Sequence, residues 1–349
     1  MKFLAVEHVL PGRVVTNEDV LERLTRENSS HLSAKELQQL LQWTEQCFKA
    51  ARTNVRYHLA ESERAADLTC KAGAAALARS GLSRDEIDLV IYVGIGRGTL
   101  EPCAATVFQD MLGLRRATCF DVLDACAGWV RGLHVAHAFL SSGIYNNILL
   151  LNGEFVAGEL DHRVKRLTDF VYWHPTVTMG EAATATIVSR DERESRFAAS
   201  FRTSGDKRDL CFVPLPWFQS YFGKEPVGGS QHELLHFISY GARLLEVGAR
   251  KMIEHMRNEE AFRDYRPDAI FGHSASDGIA EYVLRSCGLD PAAYAFSHDR
   301  FANTASASIP LAMSVAIREG RLVDGNRVLL MMASAGVTTA LVRFSYRAG

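Results

Sequence analysis

Cys126 stands in Phe120-Asp121-Val122-Leu123-Asp124-Ala125-Cys126-Ala127-Gly128-Trp129, where an apolar strand pattern gives way to a long apolar helix pattern ending at Ser142-Gly143. Unpaired N–H groups at a helix start favour a thiolate, the nucleophilic form of cysteine. Ala125, Ala127 and Gly128 leave room for an acyl group to approach. An acylated cysteine is one expectation; an inert thiol in an apolar core is the common alternative. His273 ends a second apolar strand pattern, Phe271-Gly272-His273. Strand ends in α/β sheets are where ligands bind, although a histidine there also serves as a packed core residue. Asn303 opens a small-residue loop, Asn303-Thr304-Ala305-Ser306-Ala307-Ser308-Ile309-Pro310, where an N-cap is the plain alternative. Ser334-Ala335-Gly336-Val337 reads as a tight turn whose glycine permits close backbone approach, or as a simple hairpin.

These residues need elements to bring them together, and the chain supplies the same set twice. A helix pattern and the strand Asp88–Gly94 are matched by a helix pattern and the strand Asp268–His273. The strand into Cys126 and its helix are matched by Ala293–Ser297, Asn303 and the helix from Ser308. Two similar strands follow, Asn147–Asn152 and Arg327–Met332, and each half closes on another, Ala183–Val188 and Thr338–Phe344. Continuous apolar strands alternating with helices imply sheets buried on both faces. Two such halves imply stacked α/β layers about a pseudo-twofold axis, with Cys126 and Asn303 at equivalent places near that axis. The expected division is residues 1–190 with Cys126, a connector at 191–235, and 236–349 with His273 and Asn303. Residues 12–57 read as a polar, helical insertion in the first half.

Composition narrows the classes. The chain has 349 residues and a formal charge of −2, so no basic surface argues for nucleic acid. No apolar run is long enough for a membrane span, and the start lacks the pattern of a secretory signal. The group Arg190, Arg193, Arg196, Arg202, Lys207 and Arg208 is mixed with acids and reads as solvated surface. Seven cysteines, an odd number without a C-x-x-C pair, argue against a disulfide framework or a zinc site and fit a reducing cytoplasm. His134 and His137 lack a third ligand in view and read as packed or interfacial.

Together these segments resemble the thiolase superfamily, in its 3-oxoacyl-[acyl-carrier-protein] synthase III branch. The resemblance covers nearly the whole chain, and the Asn-Thr-x-x-Ala-Ser-Ile-Pro loop is its most specific motif. It implies a layered α-β-α-β-α core and an acyltransferase that loads an acyl group on Cys126 and joins it to a second thioester. His273 and Asn303 would hydrogen-bond the second thioester's carbonyl, and the N–H groups of Cys126 and Gly336 the oxyanion of the acyl-cysteine. Coenzyme A or acyl-carrier-protein thioesters are the implied substrates, with no tightly bound cofactor. Pairing through Asn147–Asn152 into a homodimer, or a heterodimer with a related chain, is also implied.

Departures qualify the resemblance. The usual His-Gln-Ala-Asn is His273-Ser274-Ala275-Ser276, and the usual Gly-Asp-Gly-Ala is Gly180-Glu181-Ala182-Ala183. The coenzyme-clamping segment survives only in part as Phe48 to Arg56; Phe48 is expected to stack on an adenine and Arg52 to meet a phosphate. Trp173-His174-Pro175 and Trp217-Phe218 are candidates for lining an acyl tunnel. Glu101-Pro102 resembles the branch that joins two acyl thioesters head to head, with the glutamate as base; alternatively Glu101 caps the next helix, with Pro102 at its first position. Expected chemistry is decarboxylative condensation in specialised fatty acid or polyketide metabolism. The alternatives are the head-to-head reaction, acyl transfer to an oxygen, nitrogen or sulfur acceptor, and a non-catalytic subunit.

Overall fold

The architecture is that of a computed structural model, which describes residues 1–192, 196–223, 237–273 and 275–349. Ser274, Arg193 and the Gly228-Gly229-Ser230 stretch of the connector lie outside the described residues. Strand β1 (Lys2–Val9) leads into the insertion: a ribbon of β2 (Arg13–Thr16) and β3 (Val55–His58) around α1 (Asn17–Asn28) and α2 (Ala34–Ala51). Both helices start on capping boxes, Thr16 with Asp19 and Ser33 with Glu36, which satisfy N–H groups that the first turn cannot. Next come α3 (Ala65–Ser80), β4 (Leu89–Tyr92), α4 (Ala104–Met111), β5 (Thr118–Asp121), α5 (Gly128–Ser142) and β6 (Asn147–Glu154). A short α6 (Phe170–Trp173) precedes β7 (Ala182–Ser189). The second half contains β8 (Ala198–Thr203), β9 (Cys211–Phe212), α7 (Phe218–Phe222), β10 (Ile238–Ser239), α8 (Gly241–Asn258), α9 (Glu260–Arg263) and β11 (Ala269–Gly272). It ends with α10 (Asp277–Ser286), α11 (His298–Phe301), α12 (Ser308–Arg318), β12 (Arg327–Ser334) and β13 (Thr338–Ser345).

The duplication is explicit in the sheets. The first has order β1-β7-β6-β4-β5 and the second β8-β13-β12-β11. The parallel pair β4 with β6 matches the parallel pair β11 with β12, and in each sheet the next two pairs are antiparallel; the first sheet adds a further parallel pair, β4 with β5. Residues 198–203, expected within the connector, therefore form the counterpart of β1, an edge strand registered against β13 from Thr203↔Thr338 to Ala198↔Arg343. The counterpart of β5, expected at Ala293–Ser297, shrinks to a single bridge between Ile270 and Tyr294.

Strand alternation sorts the apolar runs into layers. Leu89, Ile91, Ile148 and Leu150 face inward with Phe271, Val328 and Leu330, and α5 (Trp129, Leu133) and α12 (Ile309, Met313) fill the space between the sheets. Val90, Leu149 and Leu151 face outward onto α3 and α4. Ile270 and Leu329 face α8 and α10. The result is the layered α-β-α-β-α core. Among the described residues no helix is long and apolar enough to cross a membrane.

One expectation fails on topology. Strand β6, which contains Asn147–Asn152, is hydrogen-bonded to β4 on one side and β7 on the other. It has no free edge to offer a second copy. The unpaired edge near the nucleophile belongs to β5.

Candidate active site

Cys126 lies on the bend between β5 and α5. Ala125 is held at φ 45°, a left-handed conformation unusual for a residue with a Cβ. Three contacts hold the bend. Arg131 donates to Asp124 at 2.8 Å, and its guanidinium lies 3.7 Å from the ring centre of Phe201 on β8. Ser334 Oγ, at the end of β12, donates to the Asp124 carbonyl at 3.5 Å. Two of these contacts come from the second half, so the nucleophile's position depends on both sheets. Gly128 permits the close packing: a Cβ there would lie 2.3 Å from the Val93 carbonyl oxygen.

The expected thiolate is not favoured at rest. Ala127 and Gly128 turn their N–H groups back to the carbonyls of Asp124 and Ala125, at 2.8 and 3.0 Å. Burial pushes the Cys126 thiol well above the usual cysteine range, with Cys211 and Glu154 adding to it; its own backbone N–H opposes the shift. The thiol is therefore protonated until a substrate changes its surroundings.

His273 follows β11 directly. Its Nδ1 lies 3.2 Å from Ser308 Oγ, and the ring also hydrogen-bonds the Ala305 backbone. Burial, with His298 nearby, lowers it to about 4, so the imidazole is neutral at pH 7. Asn303 is gripped by the first half: its N–H donates to the Thr178 carbonyl, and Gly180 N–H donates to its own carbonyl, both at 2.9 Å. Gly180 is required, because a Cβ would lie 2.2 Å from the Phe301 carbonyl oxygen. Asn303 Oδ1 accepts from Ala305 N–H at 2.9 Å, which leaves the NH2 as the donor end. One short turn, Ala305 to Ser308, thus orients both side chains.

Cys126, His273 and Asn303 line one cavity of about 1380 Å³. Ordinary small-ligand pockets measure roughly 300–1,000 Å³. One arm runs between α8 and α10, past Met252, Ile253, Val283 and Leu284. His174 and Pro175 line the cavity as expected; Trp173 instead packs in the core of the insertion, and Trp217 is exposed. Ser334 and Ala335 reach the wall next to Gly336, whose φ of 121° only glycine adopts readily. His134 and His137 stack on Phe201 and Phe197.

Three further expectations change. Phe48 is only 4 % exposed, packed with Leu24, Leu40 and Trp173 beneath the Arg56 guanidinium, so it cannot stack on a ligand. Arg52 caps α2 and pairs with Glu281 of α10 at 2.8 Å, so its charge is already engaged. Glu101 is exposed and does not line its own chain's cavity. Nor does it cap α4: helix α4 begins at Ala104, and Asp121 accepts the N–H groups of Ala104 and Ala105 at 2.8 and 2.9 Å. Sequence reasoning missed Glu154, a carboxylate 2 % exposed at the end of β6. The signal was present: an acid closing an otherwise apolar strand is an uncommon placement.

Comparison with known proteins gives a consistent picture. Residues 120–205 match the family model 3-Oxoacyl-[acyl-carrier-protein (ACP)] synthase III, and residues 261–345 match the model of its C terminal. The chain is 27 % identical over 349 residues to beta-ketoacyl-[acyl-carrier-protein] synthase III of Oceanobacillus iheyensis, covering 97 % of this chain and 96 % of that one. It is 26 % identical over 343 residues to beta-ketoacyl-[acyl-carrier-protein] synthase III 2 of Halalkalibacterium halodurans, covering 97 % and 94 %. Among solved structures, 3-oxoacyl-[acyl-carrier-protein] synthase III of Aquifex aeolicus superposes with a TM-score of 0.80 at 23 % identity, covering 99 % of both chains. A cysteine-to-serine variant of Xanthomonas campestris OleA, with bound lauric acid and lauroyl-CoA, superposes with a TM-score of 0.83 at 20 % identity over 99 % of this chain and 98 % of that one.

Proposed function

The chain is a 3-oxoacyl-[acyl-carrier-protein] synthase III-like acyltransferase of the thiolase superfamily, and from that premise we propose that it joins two acyl thioesters through an acyl-Cys126 intermediate. The observation that carries this reading is that Cys126, His273 and Asn303 line the same cavity, with sulfur from the first half and donors from the second. Cys126 Sγ attacks the thioester carbonyl of coenzyme A or a carrier protein. The carrier's sulfur leaves and takes up the proton that Cys126 gives up. Splitting the reaction at this covalent stage divides one difficult step into two.

In the second step a malonyl-type carboxylate leaves as CO₂. The electron pair flows onto the donor's thioester oxygen, where the NH2 of Asn303 donates one hydrogen bond and His273 donates another from the tautomer that carries its single proton on Nε2, with Nδ1 accepting from Ser308 Oγ. The enolate carbon then attacks the acyl carbonyl, the bond to Cys126 breaks, and the thiol is regenerated with a proton. Fixed, neutral donors suit an oxygen that gains charge during reaction, because they need no reorganisation. The N–H groups of Cys126 and Gly336 serve the oxyanion of the acyl-cysteine.

A second reading rests on the cavity's size and its apolar arm between α8 and α10. Both fit long acyl chains, and with them a head-to-head condensation in which a base removes an α-proton and no CO₂ is lost. Glu101 would act in that case from the partner subunit of a dimer, since it lies outside its own cavity. Intact-protein mass spectrometry with a thioester panel tests the intermediate. The expected result is an acyl mass on wild type that persists with His273→Ala and vanishes with Cys126→Ala. No acyl mass from any thioester would reject the reading. Release of labelled CO₂ separates the two condensations, and unchanged turnover in Glu101→Gln would eliminate Glu101 as base.

A further inference from the structure

Glu154 has no part in the reaction as described, yet it is a carboxylate buried in the core. Its carboxylate accepts from Ile95 N–H and Gly96 N–H, each at 3.1 Å, on the loop after β4. It also accepts from the Ser306 hydroxyl and from the Ser306 backbone N–H. Ser306 is itself 1 % exposed, with Asn152 Nδ2 donating to its hydroxyl oxygen at 3.0 Å. All these partners are donors, which favour the carboxylate, while burial is the larger effect and raises Glu154 above the usual carboxylate range. Ser306 lies inside the Ala305–Ser308 turn, which orients Asn303 through Ala305 N–H and His273 through Ser308 Oγ. Glu154 belongs to the half that carries the nucleophile, and the turn belongs to the other.

We propose that Glu154 is a positioning residue for the chemistry at Cys126: it clamps the turn bearing the two donors onto the nucleophile's half. This rests on the reading of Cys126, His273 and Asn303 as the reacting groups. The clamp fixes where the second thioester's carbonyl must sit relative to the acyl-cysteine. The other ionisable groups facing Glu154 and Cys126 are Tyr92 on β4, Asp124 on the bend and Cys211 on β9; His298 faces His273.

Two variants test the clamp. Glu154→Gln keeps the size of the side chain and puts an amide, half of it a donor, where four donors converge. Ser306→Ala removes the hydroxyl's share of the link and leaves the backbone N–H bond to Glu154 in place. Both are expected to leave iodoacetamide alkylation of Cys126 and its acyl-loading rate within about threefold of wild type while the condensation rate falls, by about tenfold or more in Glu154→Gln and by less in Ser306→Ala. A wild-type condensation rate in Glu154→Gln overturns the clamp, as does an equal loss of loading and condensation. If Glu154→Gln does not fold, Glu154→Asp, which shortens the reach to the turn, decides by the same comparison of loading with condensation. Alkylation requires no thioester, so a failure of Cys126 to carry an acyl group is told apart from a failure of the clamp.

Discussion

At the scale of single residues, the site combines a strongly protonated thiol with two neutral donors. The thiol's burial argues that it attacks only when a bound thioester has reshaped its surroundings. The donors argue that charge appears on the second substrate's oxygen rather than on the protein. Asn303→Ala should therefore separate the two steps. Acylation of Cys126 by a thioester, followed by mass, is expected to proceed within about threefold of wild type, whereas condensation falls by about 10²–10³. An equal loss in both steps would assign Asn303 to shaping the nucleophile instead. Cys126, His273 and Asn303 could be picked out as candidates because each is a chemically capable residue placed where a strand meets a loop or helix, and the fold brings all three to one cavity. Glu154 was not legible, because its importance lies in the four donors that surround it, and those come from segments distant in sequence.

At the scale of elements, helix α2 shows how a motif can survive in part while its use changes. Its helical character was readable as part of the polar insertion at residues 12–57, but the direction of Phe48 was not. An aromatic residue near a degraded coenzyme-binding motif is ambiguous until packing partners are known, and here Leu24, Leu40 and Trp173 claim it. Phe48→Ala is expected to cost about 3–5 kcal/mol in denaturant unfolding, as for other large-to-small core changes. The concentration of acyl-CoA giving half-maximal loading should stay within about twofold. A large loss of coenzyme affinity at unchanged stability would restore the stacking role. Arg52, paired with Glu281, ties the insertion to α10 at the cavity mouth, a function that no local pattern announced.

At the scale of the whole molecule, the repeated order of elements was readable because apolar strand patterns recur in the same sequence of types. Edge strands were harder to identify. Strand β8 is partly exposed and short of apolar character, and pairing partners cannot be seen along a single chain. In the observed topology β5 is a free edge of the first sheet, and edge-to-edge pairing with a second copy is expected there if the chain pairs. Thr118 and Val122 direct their N–H groups inward, to Asp88 and Tyr92 at 3.0 and 2.9 Å, so alternation turns Cys119 N–H outward. Light scattering is expected to show a dimer for the wild-type chain and a monomer for Cys119→Pro; a monomeric wild type would reject pairing, and a dimeric Cys119→Pro would place the interface elsewhere. Acid sensitivity is another property of the whole. His8, His58, His137, His162, His255 and His273 are each lowered to about 4 by burial, below the free-histidine value of 6.5. Between those values the unfolded chain binds more protons than the folded one, so the stability these groups contribute is present above pH 6.5 and lost as pH falls toward 4. Urea midpoints measured from pH 7.5 to 4.5 should decline steadily through that interval, and a flat profile would contradict the burial of these rings. The bridges between Glu154 and Ser306, and between Asn303 and the Thr178–Gly180 loop, carry a consequence for the chain's history. Tandem copies are ordinarily free to drift apart, each at its own pace. Here each copy has become part of the other's scaffolding, so a change on either side of these clasps survives only when its opposite number accommodates it, and the two copies are bound to a shared fate.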